Sequence, residues 1–340
     1  MNLFGKDLTT DIALIAEIGV NHEGDADVAH KLLELAAKAG ADAVKFQSYT
    51  PERYASSDDP DRLVRVGSFA LTEGDFTSLS NLAVKLDTSF FSTPVSEDWV
   101  PFLATISDTL KIASGDITFE PVIRAAAASG KKVIISTGTA TVDEIDTALG
   151  WARDELGDTP LEDRLVLMHC VSAYPVPERD ANLLSIPFLA DRYDPITIGY
   201  SNHVMGPEAM LGAVALGARV IEVHFTDNKH DREFRDHLLS ADPADLAYLA
   251  KALPQMAVMR GTYGKAPVDA EIPLIEIIRK GVSAARDLTA GQVLCREDLF
   301  FTRPATEIPS GDVDWVVGQR LNTDCKKGQS IRRMWLDKES

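Results

Sequence analysis

Eight short apolar runs of this chain end on polar residues of the kinds that handle phosphate, metal ions or protons. The runs are IALIAEIG, ADAVKFQ, TSFFSTP, TLKIASGD, KVIISTG, LVLMHC, ITIGYSNH and RVIEVHF. The polar residues at or near their ends are Glu17, Lys45, Gln47, Thr93, Lys111, Ser114, Ser136, His169, Ser201, His203 and His224. Such a series indicates that one face of the fold collects reactive groups, which predicts an enzyme.

Two lysines, Lys45 and Lys111, lie inside apolar runs, where an unpaired ammonium group is costly to bury. The partner of each is either a phosphate or carboxylate ligand, or a structural ion pair with Glu17 or Asp116. Glu17 itself is then either a charge balance for the lysines or a proton-transfer group. Hydroxyl residues at the ends of other runs favour an anion site: Thr93, Ser114, Ser136 and Ser201.

Two histidines, His203 and His224, end the last two runs, which would be neighbours in a closed barrel. Two imidazoles with Asp236 or Glu17 nearby suit a divalent metal that keeps open positions. A single histidine at a strand end is more often only hydrogen-bonded, and His22 and His169 compete for the ligand role. The neighbouring anion site favours the metal interpretation.

Composition narrows the classes of partner. The chain has 340 residues, 45% of them hydrophobic, which is enough for more than one domain or for one barrel with an appendage. Lys and Arg total 34 against 52 Asp and Glu, and the net charge of -18 disfavours nucleic acid and anionic membranes as partners. Three scattered cysteines and an N-terminal apolar run broken by Glu17 predict a reduced, cytoplasmic protein without a signal peptide.

The apolar runs alternate with helix-like segments over the first three quarters of the chain. The runs are almost continuously apolar, which is typical of parallel strands buried on both faces. Eight such units predict an α/β fold, a (β/α)8 TIM barrel. The alternative is a doubly wound open sheet, but EIGVNHEG after the first run lacks the GxGxxG fingerprint common in that fold.

The C-terminal part has a different pattern. Residues 1–262 form the predicted barrel, residues 263–279 form a predicted linker, and residues 280–340 predict a small β-rich domain. A weak repeat, D-x3-G-Q-x-[LI]-x-R, occurs at Asp287–Arg296 and at Asp324–Arg333. It predicts internal pseudo-symmetry in the small domain, unless two glycine turns match by chance.

The ordered motifs resemble those of a known family. AEIGVNHEG, GADAVKFQ, FFSTP, LKIASGD, IISTG, HCVSAYPVP, GYSNH and VIEVHFT are similar to successive motifs of the N-acetylneuraminate (sialic acid) synthase family. The segment GVSAARDLTAGQVLCREDLFFTRP resembles the antifreeze-like SAF domain of that family, a β-clip fold. The resemblance covers nearly the whole chain.

The resemblance implies a reaction and its participants. Phosphoenolpyruvate would condense with the aldehyde of an open-chain N-acetylhexosamine, with N-acetylmannosamine as the best candidate, and phosphate would leave by C–O cleavage. Mn2+ or Mg2+ would polarise the aldehyde oxygen, and the enzyme would be a domain-swapped homodimer. The resemblance also implies roles for individual residues: Glu17 in catalysis, His203 and His224 on the metal, Lys45, Thr93, Lys111, Ser114, Ser136, Ser172 and Ser201 on phosphoenolpyruvate, and Gln47, Asp116, Tyr174, Asp236 and a partner chain's Arg303 on the sugar.

Some positions depart from the family pattern and keep the choice of substrate open. Asn202 stands where the GYSDH-type motif usually has Asp, Ser172 where some members have Asn, and Ala305 follows Arg303-Pro304 in place of Gly. HCVSAYP is also similar to the relatives that make legionaminic or pseudaminic acid. Two further possibilities are an inactive glycan-binding protein and a 3-deoxy-heptulosonate or octulosonate type synthase, whose sugar-phosphate site would use Lys229, Arg232 and Arg235.

Overall fold

The structure is a computed structural model that describes residues 1–229, 234 and 236–337. The chain divides into two compact units, Met1–Gly261 and Thr262–Ser340. Among the described residues there is no helix with the length and apolar character needed to cross a membrane.

The first unit is a closed barrel of eight parallel strands, which confirms the predicted (β/α)8 fold. The strands pair in chain order and the last strand closes onto the first. A small antiparallel pair, β1 and β2, precedes them. The strands are β1 Asn2–Leu3, β2 Lys6–Asp7, β3 Ala13–Gly19, β4 Ala43–Ser48, β5 Ser89–Pro94, β6 Thr109–Ile112, β7 Lys132–Ser136, β8 Leu165–Cys170, β9 Thr197–Asn202 and β10 Val220–His224.

Helices surround the barrel and bury its outer face. Helix α1 shows how the sequence sets their ends: the Asp25 carboxylate accepts from the amides of Asp27 and Val28, and Gly40 ends the helix at φ 98°. The helices of this unit are α1 Ala26–Ala39, α2 Pro51–Tyr54, α3 Pro60–Phe69, α4 Glu73–Lys85, α5 Val100–Ile106, α6 Glu120–Ala128, α7 Val142–Leu156, α8 Ser185–Arg192, α9 Glu208–Ala215, α10 Asp236–Leu239 and α11 Pro243–Arg260.

The interior of the barrel is apolar at the end where the strands begin. Leu3 and Leu8 of the N-terminal hairpin pack there against side chains from the starts of the strands, including Ile15 and Phe91. The ring of Phe4 lies 5.1 Å from that of Phe91. These apolar side chains fill the barrel at the N-terminal ends of the strands. The polar groups lie at the other end, where the strands finish.

The second unit is a small domain with its own apolar core, and its elements are α12 Ile275–Ile278, β11 Gly281–Ala284, β12 Leu299–Thr302 and α13 Val313–Val316. The two copies of the weak repeat contact each other reciprocally. Asp324 accepts from the amide of Ala290 at 2.9 Å, and Asp287 accepts from the amide of Lys327 at 2.9 Å. Since each donor lies three residues after its own repeat's aspartate, this exchange agrees with the predicted pseudo-symmetry.

Candidate active site

A cavity of about 830 Å³ lies at the C-terminal end of the barrel strands. It brings together most of the residues that the sequence singled out. Those lining it are Glu17, Lys45, Gln47, Thr93, Lys111, Ser114, Ser136, Ser172, Tyr174, Ser201, His203, His224 and Asp236. Two residues with predicted sugar contacts do not line it: Asp116, which follows the lining residue Gly115, and Arg303, which belongs to the second unit.

Two buried ion pairs occupy the floor of the cavity. Lys45 Nζ lies 2.7 Å from Glu17 Oε2, and Lys111 Nζ lies 2.8 Å from Glu222 Oε2. The second carboxylate also lies 3.8 Å from Lys45 Nζ, so the pairs form one network. The structural ion pair expected for the lysines is therefore present for Lys45 with Glu17. The expectation of an ion pair with Asp116 is wrong, because Lys111 pairs with Glu222 instead.

Glu222 is a functional candidate that the strand-end pattern does not contain. Its side chain accepts from Lys111 Nζ at 2.8 Å and from the Ser201 hydroxyl at 3.0 Å. Burial alone would raise the pKa of Glu222, but the ammonium groups of Lys111 and Lys45 hold it at about 2. A signal was available: Glu222 lies two residues before His224, and alternate residues of a strand share a face.

Hydroxyl groups line the wall next to Lys45 and Lys111. Lys45 Nζ donates to Thr93 Oγ1 at 3.3 Å, and the Gly138 amide donates to Ser114 Oγ at 3.0 Å. A Cβ on Gly138 would lie 2.4 Å from Ser172 Oγ and 2.7 Å from Ser114 Oγ, so a larger residue would displace these two hydroxyls. Among described residues, the buried Ser136 hydroxyl has no hydrogen-bond partner, which leaves it available for a ligand.

The two predicted metal ligands lie side by side in the cavity. The rings of His203 and His224 are 5.3 Å apart, and the Tyr174 ring lies 4.1 Å from His203. His203 Nδ1 donates to the carbonyl of Val171 at 2.8 Å, which leaves the lone pair on Nε2. Burial lowers the pKa of both histidines, that of His224 well below its usual value, which favours the neutral imidazole.

These observations fit a divalent cation held by two imidazoles with open positions for substrate. Neutral nitrogen donors are the form of histidine that binds metals. The described residues contain no group of three or more His, Cys, Asp or Glu placed to hold a metal ion. Within the described part of the chain, His203 and His224 are therefore the candidate ligands, and the metal itself stays a prediction.

His22 and His169, which competed for the metal role, do not line the cavity. His169 Nε2 donates to the carbonyl of Ala181 at 2.9 Å. His22 Nδ1 accepts from the amide of Gly24 at 3.0 Å, and burial lowers the pKa of His22 to about 4. Both histidines therefore hold neighbouring backbone segments in place. The sequence alone does not show that their side chains stay out of the cavity.

Asn202, which departs from the family motif, supports the turn that carries His203. It accepts from the Tyr200 hydroxyl at 3.0 Å and from the Val204 amide at 3.2 Å, and donates to the Val204 carbonyl at 2.8 Å. An amide both donates and accepts, whereas an ionised aspartate only accepts. Asn202 therefore fits this turn as a neutral residue.

The basic cluster expected for a sugar phosphate lies only partly within the described residues. Arg232 and Arg235 lie outside them. Lys229 forms ion pairs with Asp245 and, at 3.8 Å, with Asp242. Its charge is therefore already balanced by the start of α11.

Burial of Asp116 predicts a pH-dependent stability difference. Burial raises the pKa of Asp116 from 3.8 to about 6. The protonated carboxyl therefore favours the folded state, and this contribution is lost as the pH rises from about 4 through 6. Asp116→Asn should raise the melting temperature at pH 7 and not at pH 4, measured by thermal unfolding across that range. The exposed Asp158→Asn is the matched control, and equal shifts for both variants would contradict the assignment.

Comparison with known proteins identifies the family. The NeuB family model matches residues 32–265, and the SAF domain model matches residues 279–333. The chain belongs to the NeuB family. It is therefore an enzyme of the sialic acid synthase type, in a family of nonulosonic acid synthases.

Relatives of this NeuB family protein differ in the sugar acids that they are named for. It is 35% identical to N,N'-diacetyllegionaminic acid synthase of Legionella pneumophila, over 94% of this chain and 92% of that protein. It is 30% identical to pseudaminic acid synthase of Campylobacter jejuni, over 95% and 96%. The crystal structure of N-acetylneuraminic acid synthetase from Leptospira borgpetersenii matches with 36% identity and a TM-score of 0.73, over 78% of this chain and 90% of that one.

Proposed function

We propose that the protein condenses phosphoenolpyruvate with the open-chain aldehyde of an N-acetylated amino sugar and releases inorganic phosphate. One observation carries this proposal. A wall of lysines and hydroxyls, suited to a phosphate and a carboxylate, shares a cavity with two neutral histidines. Phosphoenolpyruvate needs the first feature, and a sugar aldehyde that must be polarised needs the second.

The proposed phosphoenolpyruvate site uses the donors on the floor and wall of the cavity. Lys45 and Lys111 are the ammonium groups, and charge-assisted hydrogen bonds to phosphate are strong. The other donors to this ligand are the hydroxyls of Thr93, Ser114, Ser136, Ser172 and Ser201. Among the described residues, the buried Ser136 hydroxyl has no hydrogen-bond partner. It supports this assignment, because a bound anion would provide the missing hydrogen bond.

In the proposed reaction the C2–C3 π electrons of phosphoenolpyruvate form a carbon–carbon bond from C3 to the aldehyde carbon, and the aldehyde oxygen takes up a proton to become a hydroxyl. Water adds to C2, and the bond from C2 to the phosphate oxygen then breaks to leave a ketone and inorganic phosphate. A divalent metal on His203 and His224, Mn2+ or Mg2+, would supply Lewis-acid polarisation of the aldehyde oxygen. Holding both substrates in one cavity lowers the entropic part of the barrier.

Glu17 is the proposed group for proton transfer. Its carboxylate lies 2.7 Å from Lys45 Nζ and accepts from Gln47 Nε2 at 3.3 Å. Burial raises the pKa of Glu17 in spite of the nearby lysine, which brings it closer to the working range of a general base. Glu17 would position the attacking water or accept its proton.

For the acceptor we infer an N-acetylated hexosamine, either N-acetylmannosamine or a diacetamido sugar. The diacetamido sugar is supported by the relatives named for legionaminic and pseudaminic acid. It is also supported by the apolar lining residues Val20, Tyr54 and Val66, against which a second acetamido methyl could pack. Gln47, Tyr174 and Asp236 are the proposed sugar contacts in the cavity.

A second copy of the chain is the proposed source of the last sugar contact. Arg303 lies in the second unit and is exposed, so its guanidinium is accessible to a partner chain. In the proposed domain-swapped homodimer it binds the acceptor's N-acetyl group. Asp116, which does not line the cavity, is not included in the sugar site.

Phosphate release tests the proposed function. The purified protein, supplied with phosphoenolpyruvate and Mn2+, should release phosphate only when an N-acetylated amino sugar is added. The acceptors are N-acetylmannosamine, its 6-phosphate and a diacetamido hexose, and product masses identify which is used. Release with arabinose 5-phosphate or erythrose 4-phosphate alone would favour a heptulosonate or octulosonate type synthase. No release with any acceptor would contradict the proposal.

A further inference from the structure

The positive charge on the floor of the cavity is already balanced. Lys45 is paired with Glu17 at 2.7 Å, and Lys111 with Glu222 at 2.8 Å. Phosphoenolpyruvate carries a carboxylate and a phosphate, and the chain as a whole has a net charge of -18. The lysines bind such an anion once it has arrived, but their field outside the cavity is cancelled by the two carboxylates.

Helix α3 supplies the other described cations of the cavity wall. Four of its residues line the cavity: Arg62, Arg65, Val66 and Phe69. Arg65, Val66 and Phe69 follow Arg62 by three, four and seven residues. The four side chains therefore share one face of the helix. Val64 lies on the opposite face and is 74% exposed. One side of α3 therefore faces the cavity.

Both arginines carry charge that no described partner neutralises. Arg62 lies over the ring of Tyr54, 5.6 Å from its centroid, and neither Arg62 nor Arg65 forms an ion pair within the described part of the chain. Asp59 also lines the cavity, and its carboxylate accepts from the Arg62 amide at 3.1 Å as the N-cap of α3. That contact uses the helix backbone and leaves the guanidinium free for a ligand.

Specific contacts hold α3 over the cavity. The Tyr49 hydroxyl donates to the carbonyl of Val66 at 3.1 Å, and Val66 is buried. At Gly24, with φ 84°, an added Cβ would lie 2.0 Å from the Ser68 carbonyl oxygen, so the loop after β3 packs closely on the end of the helix. The arginines are thus attached to a helix fixed at its C-terminal half.

We propose that Arg62 and Arg65 form an electrostatic capture site at the cavity wall that draws phosphoenolpyruvate toward the buried lysines. This inference rests on the proposed function. Exposed guanidinium groups next to a cavity raise the local concentration of an anionic substrate, and salt weakens the effect. The arginines act on entry and binding, while the chemical step is performed deeper in the barrel.

The test is the double variant Arg62→Ala/Arg65→Ala in the full-length protein. The KM for phosphoenolpyruvate should rise about tenfold at low ionic strength, and the difference from the parent should shrink in roughly 0.5 M salt, as screening requires. The kcat at saturating phosphoenolpyruvate should stay within about twofold, since the chemistry is untouched. Arg62→Lys/Arg65→Lys should restore most of the affinity.

A matched control removes the same two charges elsewhere. Lys85→Ala/Arg153→Ala changes two exposed residues that do not line the cavity, and it should leave the KM for phosphoenolpyruvate unchanged. An equal rise in KM for both double variants would assign the effect to net charge and overturn the capture site. An unchanged KM in the arginine variant would overturn it as well.

Two further measurements separate this inference from competing explanations. Calorimetric titration of phosphoenolpyruvate into the parent and the arginine variant, without any acceptor, measures capture independently of turnover. If the parent binds phosphoenolpyruvate but turns over no acceptor, the proposed function fails while the capture site is still tested. If only the KM of a phosphorylated acceptor rises in the variant, the arginines bind the acceptor's phosphate and the inference is overturned.

Discussion

Glu222→Ala is expected to lower the free energy of unfolding by about 3–5 kcal/mol, the range for breaking a buried ion pair. The side chain of Lys111 is 2% exposed, and apart from Glu222 its Nζ contacts the Met168 sulfur at 3.7 Å. Without the carboxylate, this ammonium group stays buried with no anionic partner, and Lys45 loses its second carboxylate. Urea unfolding of the full chain measures the loss, and phosphate release should fall below detection.

A double variant separates the stability effect from the catalytic one. Lys111→Met/Glu222→Leu removes both charges together, so no unpaired group is left in the interior. Most of the lost stability should return, whereas phosphate release should stay absent because a phosphoenolpyruvate ligand is missing. Glu222→Gln keeps a hydrogen-bond acceptor and should be intermediate in stability. A urea midpoint of Glu222→Ala equal to the parent's would show that the network does not stabilise the barrel.

His224→Ala is expected to abolish metal-dependent turnover while the fold stays intact. The loss in kcat/KM should be about a thousandfold, which corresponds to the several kcal/mol that a Lewis acid contributes. The fold should survive because the ring faces the cavity beside His203 and Tyr174 rather than the apolar core. Mn2+ binding, followed by electron paramagnetic resonance, should weaken in parallel and gives a readout that does not depend on turnover.

His30→Ala is the matched control for this prediction. His30 lies on α1, where its ring contacts the Ala26 carbonyl at 2.7 Å and the Ser78 hydroxyl at 2.8 Å, away from the cavity lining. It should keep both turnover and Mn2+ binding. Full activity of His224→Ala without added metal would rule out its role as a ligand.

The barrel was predictable because its determinants are local and repeated. Each strand is an apolar run long enough to be buried, and several of the longer helices carry their own N-cap, as Asp25 does for α1 and Thr141 for α7. Helices α2 and α3 were not predicted. Their sequence, from Pro51 to Phe69, is short, mixed in charge and packed by few residues, and it takes its place through contacts such as Tyr49 to Val66.

The strand ends indicated which residues meet, because parallel strands of a barrel bring their C-termini to one mouth. Lys45, Lys111, His203 and His224 were found in this way. Glu222 was missed since it lies inside its strand, and Asp116 was considered as an ion-pair partner of the lysines, whereas Lys111 pairs with Glu222. The alternation of side chains along β10 would have placed Glu222 on the same face as His224.

The barrel, most of the groups at the C-terminal ends of its strands and the family follow from the amino-acid sequence, since periodicity and ordered motifs along the chain are enough to specify them. The pairing of charges follows from the folded chain alone. Glu222 neutralises Lys111 across 111 residues of sequence, and α3 turns Arg62 and Arg65 toward the cavity. The energy of two paired charges varies inversely with the distance between them. That distance is a few ångströms between segments far apart in the sequence, so it is fixed only when the chain is folded.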